Sequence, residues 1–484
     1  MSELHELRTL DSKPKLSHLK ALGVCVVSII LVVTITGCTR DAETSDATTL
    51  SSFSFAPVPG DDAPELAQLG DYRAGVVTRE FTYVDQNDIA LTAFIAGDAP
   101  KSDRRLSVDI LYPAQLSAND EPDAIYPGNY QTGLTNVEGL PKTFQIKGLA
   151  VRDAAPVVNA KFPLVIVSHG LFNTPGVLSG LTENLVTKGY VVAAIDHIDD
   201  DPESATPIHN FARVMLNRSL DQQRILTEML ALARAGTSIG NLIDTDAIGI
   251  MGFSMGGYGV LNHAGAGYNP DGKAYGWVPG DVLKSQSEGD PAFQAKSREH
   301  IDAVIAFAPW GGQPEAGMFT DTALANISAP LMVLGGSEDD ISNFNEGIKR
   351  IFDKTIGADR HLVVFQNALH NIVQVPAPPA AHLDVVPWQT FEDPTWRREK
   401  LLSVGAHFMT AFFDLHLKGD ASKRAYFALP TTNSNEGTWE QPMLKDYSDQ
   451  YADGSNGSST YWKGFKRRQA LGLELHSLTK GEVR

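Results

Sequence analysis

Cysteine is nearly absent. The chain has two, Cys25 and Cys38, among 484 residues. Both lie near the amino terminus, so no disulfide can staple the body and no cysteine cluster can hold zinc. Positive charge is short relative to negative. Lys plus Arg is 40 against 58 Asp plus Glu, a formal charge of −18. A chain of this sign repels a phosphate backbone, which argues against a nucleic-acid partner. A full membrane span is also missing. The apolar run from Ala21 to Ile35 has 15 residues, short of the roughly 20 that a transmembrane helix needs. No internal repeat is found. What is there looks globular. Hydrophobic residues are 43% and charged residues 20%, which excludes wholesale disorder. Length alone suggests about three domains.

The apolar run has the length of a signal-peptide core, and Lys13, Lys15 and Lys20 precede it. It ends in Ile35-Thr36-Gly37-Cys38, which resembles the bacterial lipoprotein cleavage box. Small residues admit a peptidase to the bond before Cys38. The thiol of Cys38 would then carry a diacylglycerol, and its new amino terminus a third acyl chain such as palmitate. Each buried CH₂ contributes about 0.8 kcal/mol, so two or three chains anchor stably. The bland alternative is an uncleaved signal anchor with an incidental cysteine. Thr39, not Asp, follows the cysteine, which the resemblance associates with the outer membrane of diderm bacteria. The expectation is an exported, membrane-anchored lipoprotein of the bacterial cell envelope, periplasmic or on the outer surface. Residues 1–37 hold four positive and three negative side chains, so cleavage leaves 36 and 55, a charge of −19.

Beyond the signal at 1–37, composition predicts a flexible tether at 38–71, rich in Thr, Ser, Asp, Ala and Pro. Alternating segments at 75–84 and 105–113 predict strands. Residues 114–160 read as irregular. Short apolar β-branched runs at 162–168, 190–195, 247–252, 301–308, 330–335 and 361–365 predict buried parallel strands. Helical patterns fall at about 177–188, 211–235 and 398–418. Strands alternating with helices predict an α/β fold, a mostly parallel sheet with helices on both faces. The domain prior thus shrinks to one large domain at 72–430, with a polar extension at 431–484 packed on it. Trp462 and Phe465 are the expected packing anchors of that extension. Residues 265–300, between two sheet strands, read as an insertion.

Gly252-Phe253-Ser254-Met255-Gly256 fits the nucleophile-elbow pattern Gly-x-Ser-x-Gly, in which side chains at the flanking glycines would clash with the neighbouring strand or helix. A chain this long matches the pattern by chance roughly once in six. A second match, Gly236-Thr237-Ser238-Ile239-Gly240, serves as a control. Ser238 follows a helix, whereas Ser254 follows a buried strand, so Ser254 is the expected nucleophile. A structural serine in a Gly-rich turn is the competing reading. A serine hydroxyl needs a base, and the base an orienter. The expected chain order is Ser, Asp or Glu, then His. Asp339, after the strand at 330–335, is the first choice of acid, with Glu338 and Asp340 beside it. Asp302 precedes its strand and would face the wrong edge. His370 follows the last strand and is the expected base. His361 begins that strand, and His407 and His416 take surface or capping roles. The oxyanion needs two preorganised N–H donors. Met255 should supply one. The loop Ser168-His169-Gly170-Leu171-Phe172 should supply the other, from Leu171 first or Phe172 next, with the His169 ring as a brace. Asp199, Asp200 and Asp201 read as a solvated loop or helix cap, or as a rim of the pocket. Phe172, Trp310 and Trp388 are either pocket walls or core.

Several motifs then resemble the α/β-hydrolase superfamily, in the platelet-activating-factor acetylhydrolase-like group often labelled predicted dienelactone hydrolases. They are SHGL at 168–171, VVAAIDH at 191–197, NRSLD at 217–221 and GFSMGG at 252–257. LSVDILYP at 106–113, AFFDLHLKGD at 411–420 and YWKGF at 461–465 are similar too. The resemblance covers about 72–470. It implies the α/β-hydrolase fold, Ser254, Asp339 and His370, and backbone donors Leu171 and Met255. It also implies that the insertion forms part of a lid or substrate wall. True dienelactone hydrolases use cysteine where this chain has Ser254. The acetylhydrolases can carry the acid after the preceding strand, but residues 306–310, AFAPW, hold no carboxylate. The elbow is also similar to cutinase-like polyester hydrolases, with Phe253 in place of their tryptophan and without their carboxyl-terminal disulfide. The sum is a lipid-anchored serine hydrolase of carboxylic esters. Its expected partners are a small-molecule or lipid-like ester and, through Cys38, a membrane. No metal or organic cofactor is required. Polyester or thioester hydrolysis, or binding without catalysis, is the alternative.

Overall fold

Buried parallel strands must be apolar on both faces, and the residues at 162–168 and 303–307 are. In the computed structural model every residue of Phe162–Ser168 and of Ala303–Phe307 is buried. The structure describes residues 53–55, 57–89, 100–130, 137–199, 207–296, 300–438 and 460–484. Cys25, Cys38, the signal, most of the expected tether, Asp200 and Asp201 lie outside them. All described residues fall in one unit, Leu50–Arg484. No described helix is long and apolar enough to cross a membrane.

The strands are β1 (Phe53–Phe55), β2 (Arg73–Asn87), β3 (Lys101–Ala114), β4 (Ile125–Asn129), β5 (Thr143–Lys147), β6 (Val151–Arg152), β7 (Phe162–Ser168), β8 (Val191–Asp196), β9 (Ile243–Phe253), β10 (Ala303–Phe307), β11 (Leu331–Gly336), β12 (Arg360–Phe365) and β13 (Leu473–Leu478). Ten of them form one sheet in the order β13-β12-β11-β10-β9-β7-β8-β3-β2-β6. The run from β12 to β8 is parallel, while β3 and β13 join its two sides antiparallel. The long helices are α1 (Ser179–Thr187), α2 (Pro207–Arg234), α3 (Met255–His263) and α4 (Arg398–His416). α1 packs with α4 and α2 with α3, so the sheet is covered on both faces. This is the α/β-hydrolase fold. The strand order reverses between β8, β7 and β9, so the loops after β7 and β9 leave the same carboxyl edge side by side.

Two expectations need correction. Residues 114–160 are not irregular throughout, because β1, β5 and β4 form a small sheet. β5 alternates, with Phe144 and Ile146 buried and Thr143, Gln145 and Lys147 exposed, a pattern too short to stand out. The polar extension at 431–484 also supplies a strand, since Leu473–Leu478 pairs with β12 and closes that edge. Trp462 and Phe465 are fully buried there, with Phe465 against the His407 ring at 4.9 Å. The predicted tether does not reach residue 71. Ala63 and Ala67 are buried, Leu66 N–H donates to His407 Nδ1 at 3.2 Å, and Lys188 Nζ donates to Leu66 O at 2.5 Å. Averaged composition hid these few anchoring residues among polar neighbours.

The insertion packs rather than projects. Tyr268 stacks on Tyr258 of α3 at 4.6 Å with the planes 4° apart, and Gln286 Nε2 donates to Leu216 O of α2 at 2.9 Å.

Candidate active site

β9 ends at Phe253 and α3 begins at Met255, so Ser254 alone makes the turn between them. It does so at φ +52°, ψ −112°, a conformation that costs a non-glycine residue of order 1–3 kcal/mol. The flanking glycines make the turn possible. A Cβ on Gly256 would lie 2.1 Å from Ser168 O, and one on Gly252 would lie 2.3 Å from the Gly256 carbonyl. The main chain is pinned as well. Ser254 N donates to Phe307 O at 2.9 Å, and Trp310 N donates to Ser254 O at 3.2 Å.

The strain aims the hydroxyl at a base. Ser254 Oγ is 2.9 Å from His370 Nε2, and His370 Nδ1 is 2.7 Å from Asp339 Oδ2. Asp339 Oδ1 accepts from the N–H groups of Ile341 and Ser342 at 3.0 and 2.8 Å. With both carboxylate oxygens engaged, Nδ1–H donates to Asp339 and Nε2 is left to accept from Ser254. The three expected residues, from loops after β9, β11 and β12, thus come together. All three are buried, whereas Glu338 and Asp340 are exposed. The acid and base loops are tied, Glu338 N donating to Ala368 O at 3.0 Å, and Leu369 N donates to Asp393 Oδ2 at 2.7 Å.

The rejected alternatives lie elsewhere. Ser238 is exposed just after the end of α2. Asp302 precedes β10, accepts from Ile248 N at 2.8 Å and pairs with His300. His361 Nδ1 meets Ser477 Oγ at 2.8 Å and its ring stacks on Phe427 at 4.1 Å. Burial pushes its pKa down to about 3. His407 and His416 are not surface residues. Burial holds them neutral as well, at about 3 and about 4, among aromatic rings of α4 and its neighbours.

Leu171 lies in the loop after β7, and Met255 opens α3 directly behind Ser254. Phe172, the reserve donor, is spoken for. Its N–H donates to Asp199 Oδ2 at 3.0 Å, with the residue itself at φ +52°. His169 has the bracing role. Its Nδ1 meets Gly170 O at 2.7 Å and its Nε2 accepts from His197 N at 3.2 Å. Burial, with Arg218 nearby, holds this ring neutral, well below the ordinary histidine range.

Asp199 is neither a solvated residue nor a helix cap. It is 4% exposed and forks with Arg218, Oδ1 to Nη1 at 2.9 Å and Oδ2 to Nη2 at 2.5 Å. Beside it runs a second Ser, His and Asp set. Ser168 Oγ is 2.8 Å from His197 Nε2, His197 Nδ1 is 2.9 Å from Asp221 Oδ2, and Arg104 Nε donates to Asp221 Oδ1 at 2.7 Å. Its spacing matches that of the Ser254 set, but Ser168, His197 and Asp221 are at most 1% exposed. No substrate carbon reaches Ser168, so this set is a brace beneath the loop. A sequence signal existed for it. Arg218 and Asp221 fall on the α2 face that carries the buried Met215, Gln222, Ile225 and Met229, and buried charges need buried partners.

The Trp310 ring lies 5.4 Å from Phe211, 5.7 Å from Tyr258 and 6.4 Å from Trp277 of the insertion, so an aromatic cluster runs from the insertion to the elbow. Phe172 is buried and Trp388 half-buried. A groove of about 530 Å³ beside Arg350 shares no residue with the Ser254 site. Among the described residues no three His, Cys, Asp or Glu side chains converge as metal ligands would.

Parts of the chain are similar to known proteins. Platelet-activating factor acetylhydrolase from Cavia porcellus is 34% identical over 113 residues, 21% of this chain and 25% of the relative. The chain therefore aligns with about a quarter of that relative's length. A ferulic acid esterase from Streptomyces cinnamoneus superposes with a TM-score of 0.48 at 18% identity, covering 76% of this chain and 94% of its own. Residues 101–227 match the family described as platelet-activating factor acetylhydrolase, isoform II. That stretch takes in Ser168, Leu171, Asp199 and Arg218 and ends before Ser254. The chain is an α/β-hydrolase in fold, and over residues 101–227 it is similar to the platelet-activating factor acetylhydrolase family.

Proposed function

We propose that the protein is a serine hydrolase of carboxylic esters. The observation that carries the reading is the chain from Ser254 Oγ through His370 to Asp339, 2.9 and 2.7 Å long, on a strained elbow. Ser254 Oγ attacks the acyl carbon while His370 Nε2 takes its proton. Asp339 holds the imidazole through Nδ1–H and stabilises the imidazolium that forms. The oxyanion is met by the N–H groups of Met255 and Leu171. His370 then returns its proton to the leaving alcohol as the carbon–oxygen bond breaks, giving an acyl-enzyme. Water, deprotonated by the same nitrogen, releases the acid and restores Ser254.

The substrate is a small-molecule or lipid-like ester. The name of the aligned relative supports an acetyl or short acyl ester as the first choice. The Met255-Gly256-Gly257 continuation of the elbow keeps a polyester as a second candidate. A binding protein without catalysis is disfavoured because no position of the Ser, His and Asp set is vacant. Full-length protein is expected to hydrolyse p-nitrophenyl acetate, and Ser254→Ala to lose at least about 10⁴-fold in kcat. Retained activity in that variant would remove the reading.

The membrane anchor belongs to the same proposal. It rests on the run Ala21–Ile35 and the box ending at Cys38. In a diderm host grown with an alkyne-tagged palmitate the protein should take up the label, and Cys38→Ala, which keeps its apolar run, should not. Equal labelling of both forms, or of neither, would count against lipidation.

A further inference from the structure

An oxyanion hole works by having its donors fixed before charge develops. Leu171 sits in a loop, and loops are the less rigid parts of a fold. The peptide groups on either side of it are nevertheless held. Gly170 O accepts from His169 Nδ1 at 2.7 Å and from Arg218 Nη2 at 3.0 Å. Phe172 N–H donates to Asp199 Oδ2 at 3.0 Å. Asp199 and Arg218 are joined by a two-pronged ion pair, at 4% and 1% exposure. One charged unit, from α2 and the segment after β8, thus grips the carbonyl before Leu171 and the N–H after it. It bonds to none of Ser254, His370 or Asp339.

A gain in stability does not follow from such a pair. Buried ion pairs replaced by well-packed apolar residues often leave stability unchanged or raised, because desolvation offsets their attraction. Burial alone would raise the Asp199 carboxyl, but the charges of Arg218 and its neighbours prevail and hold it below the usual carboxylate range.

We propose that Asp199 and Arg218 are positioning residues for the oxyanion loop, whose ion pair fixes the peptide groups flanking Leu171 for the transition state. The proposal rests on the ester-hydrolase reading above. Its signature is a loss in kcat with KM nearly unchanged, because the bonds they hold matter when the oxyanion forms and not when substrate docks.

The test uses full-length protein in detergent with p-nitrophenyl acetate, and a trifluoromethyl ketone whose hemiketal oxyanion reports on the hole. Asp199→Asn keeps the shape and removes the charge. It should lower kcat by about 10- to 1000-fold, the range for a lost oxyanion donor, and leave KM within about threefold. Ketone affinity should weaken in parallel with kcat. Arg218→Lys keeps a charge but cannot serve Asp199 and Gly170 with a planar fork, and should show the same pattern with a smaller loss. Unchanged kcat per folded molecule in Asp199→Asn would overturn the proposal. So would a loss in kcat with ketone affinity unmoved. If Asp199→Asn does not fold, Arg218→Lys decides, and wild-type kcat and ketone affinity there overturn the proposal. Wild-type activity that does not depend on Ser254 would sink the ester-hydrolase reading. Ser254-dependent activity indifferent to both substitutions would sink this proposal alone.

Discussion

At the scale of the residue, the elbow places large demands on very few atoms. Gly256→Ala would put a methyl group 2.1 Å from Ser168 O, a main-chain atom that cannot swing aside. It is expected to cost about 1–3 kcal/mol of stability and to lower kcat as Ser254 shifts. Urea unfolding and steady-state rates measure both. Asp339→Asn leaves the shape but offers His370 the wrong partner, and should lower kcat by about 10³- to 10⁴-fold with the fold intact. Ser254, Asp339 and His370 were legible in the sequence because the sheet fixes their order and each follows an apolar strand. Within the trio of carboxylates only Asp339 faces inward. Asp199 was not legible, because its partner Arg218 lies on α2 and only the folded chain joins them. Phe172 as a donor failed for the same reason, its N–H being taken by that carboxylate.

At the scale of the element, what was readable tracks burial on both faces. The strands at 162–168, 303–307 and 331–336 announce themselves as unbroken apolar runs, since helices cover them above and below. The edges do not. β4 and β5 are five residues each with alternating burial. β13 carries Glu474, His476 and Ser477 among its apolar residues because its position is peripheral. Its segment still matters for stability. Trp462 is fully buried and its Nε1 donates to Thr431 O at 3.0 Å. Trp462→Ala should cost about 3–5 kcal/mol while leaving kcat per folded molecule unchanged, because none of its contacts reaches Ser254. A thermal melt beside an active-site titration separates the two.

At the scale of the whole molecule, buried neutral histidines set the acid response. Burial lowers His197, His263 and His416 to about 4, and His361 and His407 to about 3. Unfolded histidines take up protons near pH 6.5. Between there and about pH 4 the unfolded chain binds more protons, so stability falls as pH falls. Asp196, raised by burial to about 6, acts in the opposite direction, as do Asp109 and Glu183, while His169 and His476, also lowered by burial, add to the decline. The melting temperature should therefore fall slightly from pH 8 to 7, where Lys188 and Lys400, lowered by burial to about 7 and about 8, take up protons less readily than in the unfolded chain, and decline further from about 6.5 towards 4. A level profile down to pH 4.5 would contradict these assignments. The central claim is that one serine of this fold is a nucleophile. Its most direct measurement is labelling of full-length protein with a fluorophosphonate, followed by peptide mass analysis. A single adduct is expected, on Ser254, with Ser168 and Ser238 unmodified and Ser254→Ala unlabelled. Absence of an adduct, or an adduct on another serine, would contradict it.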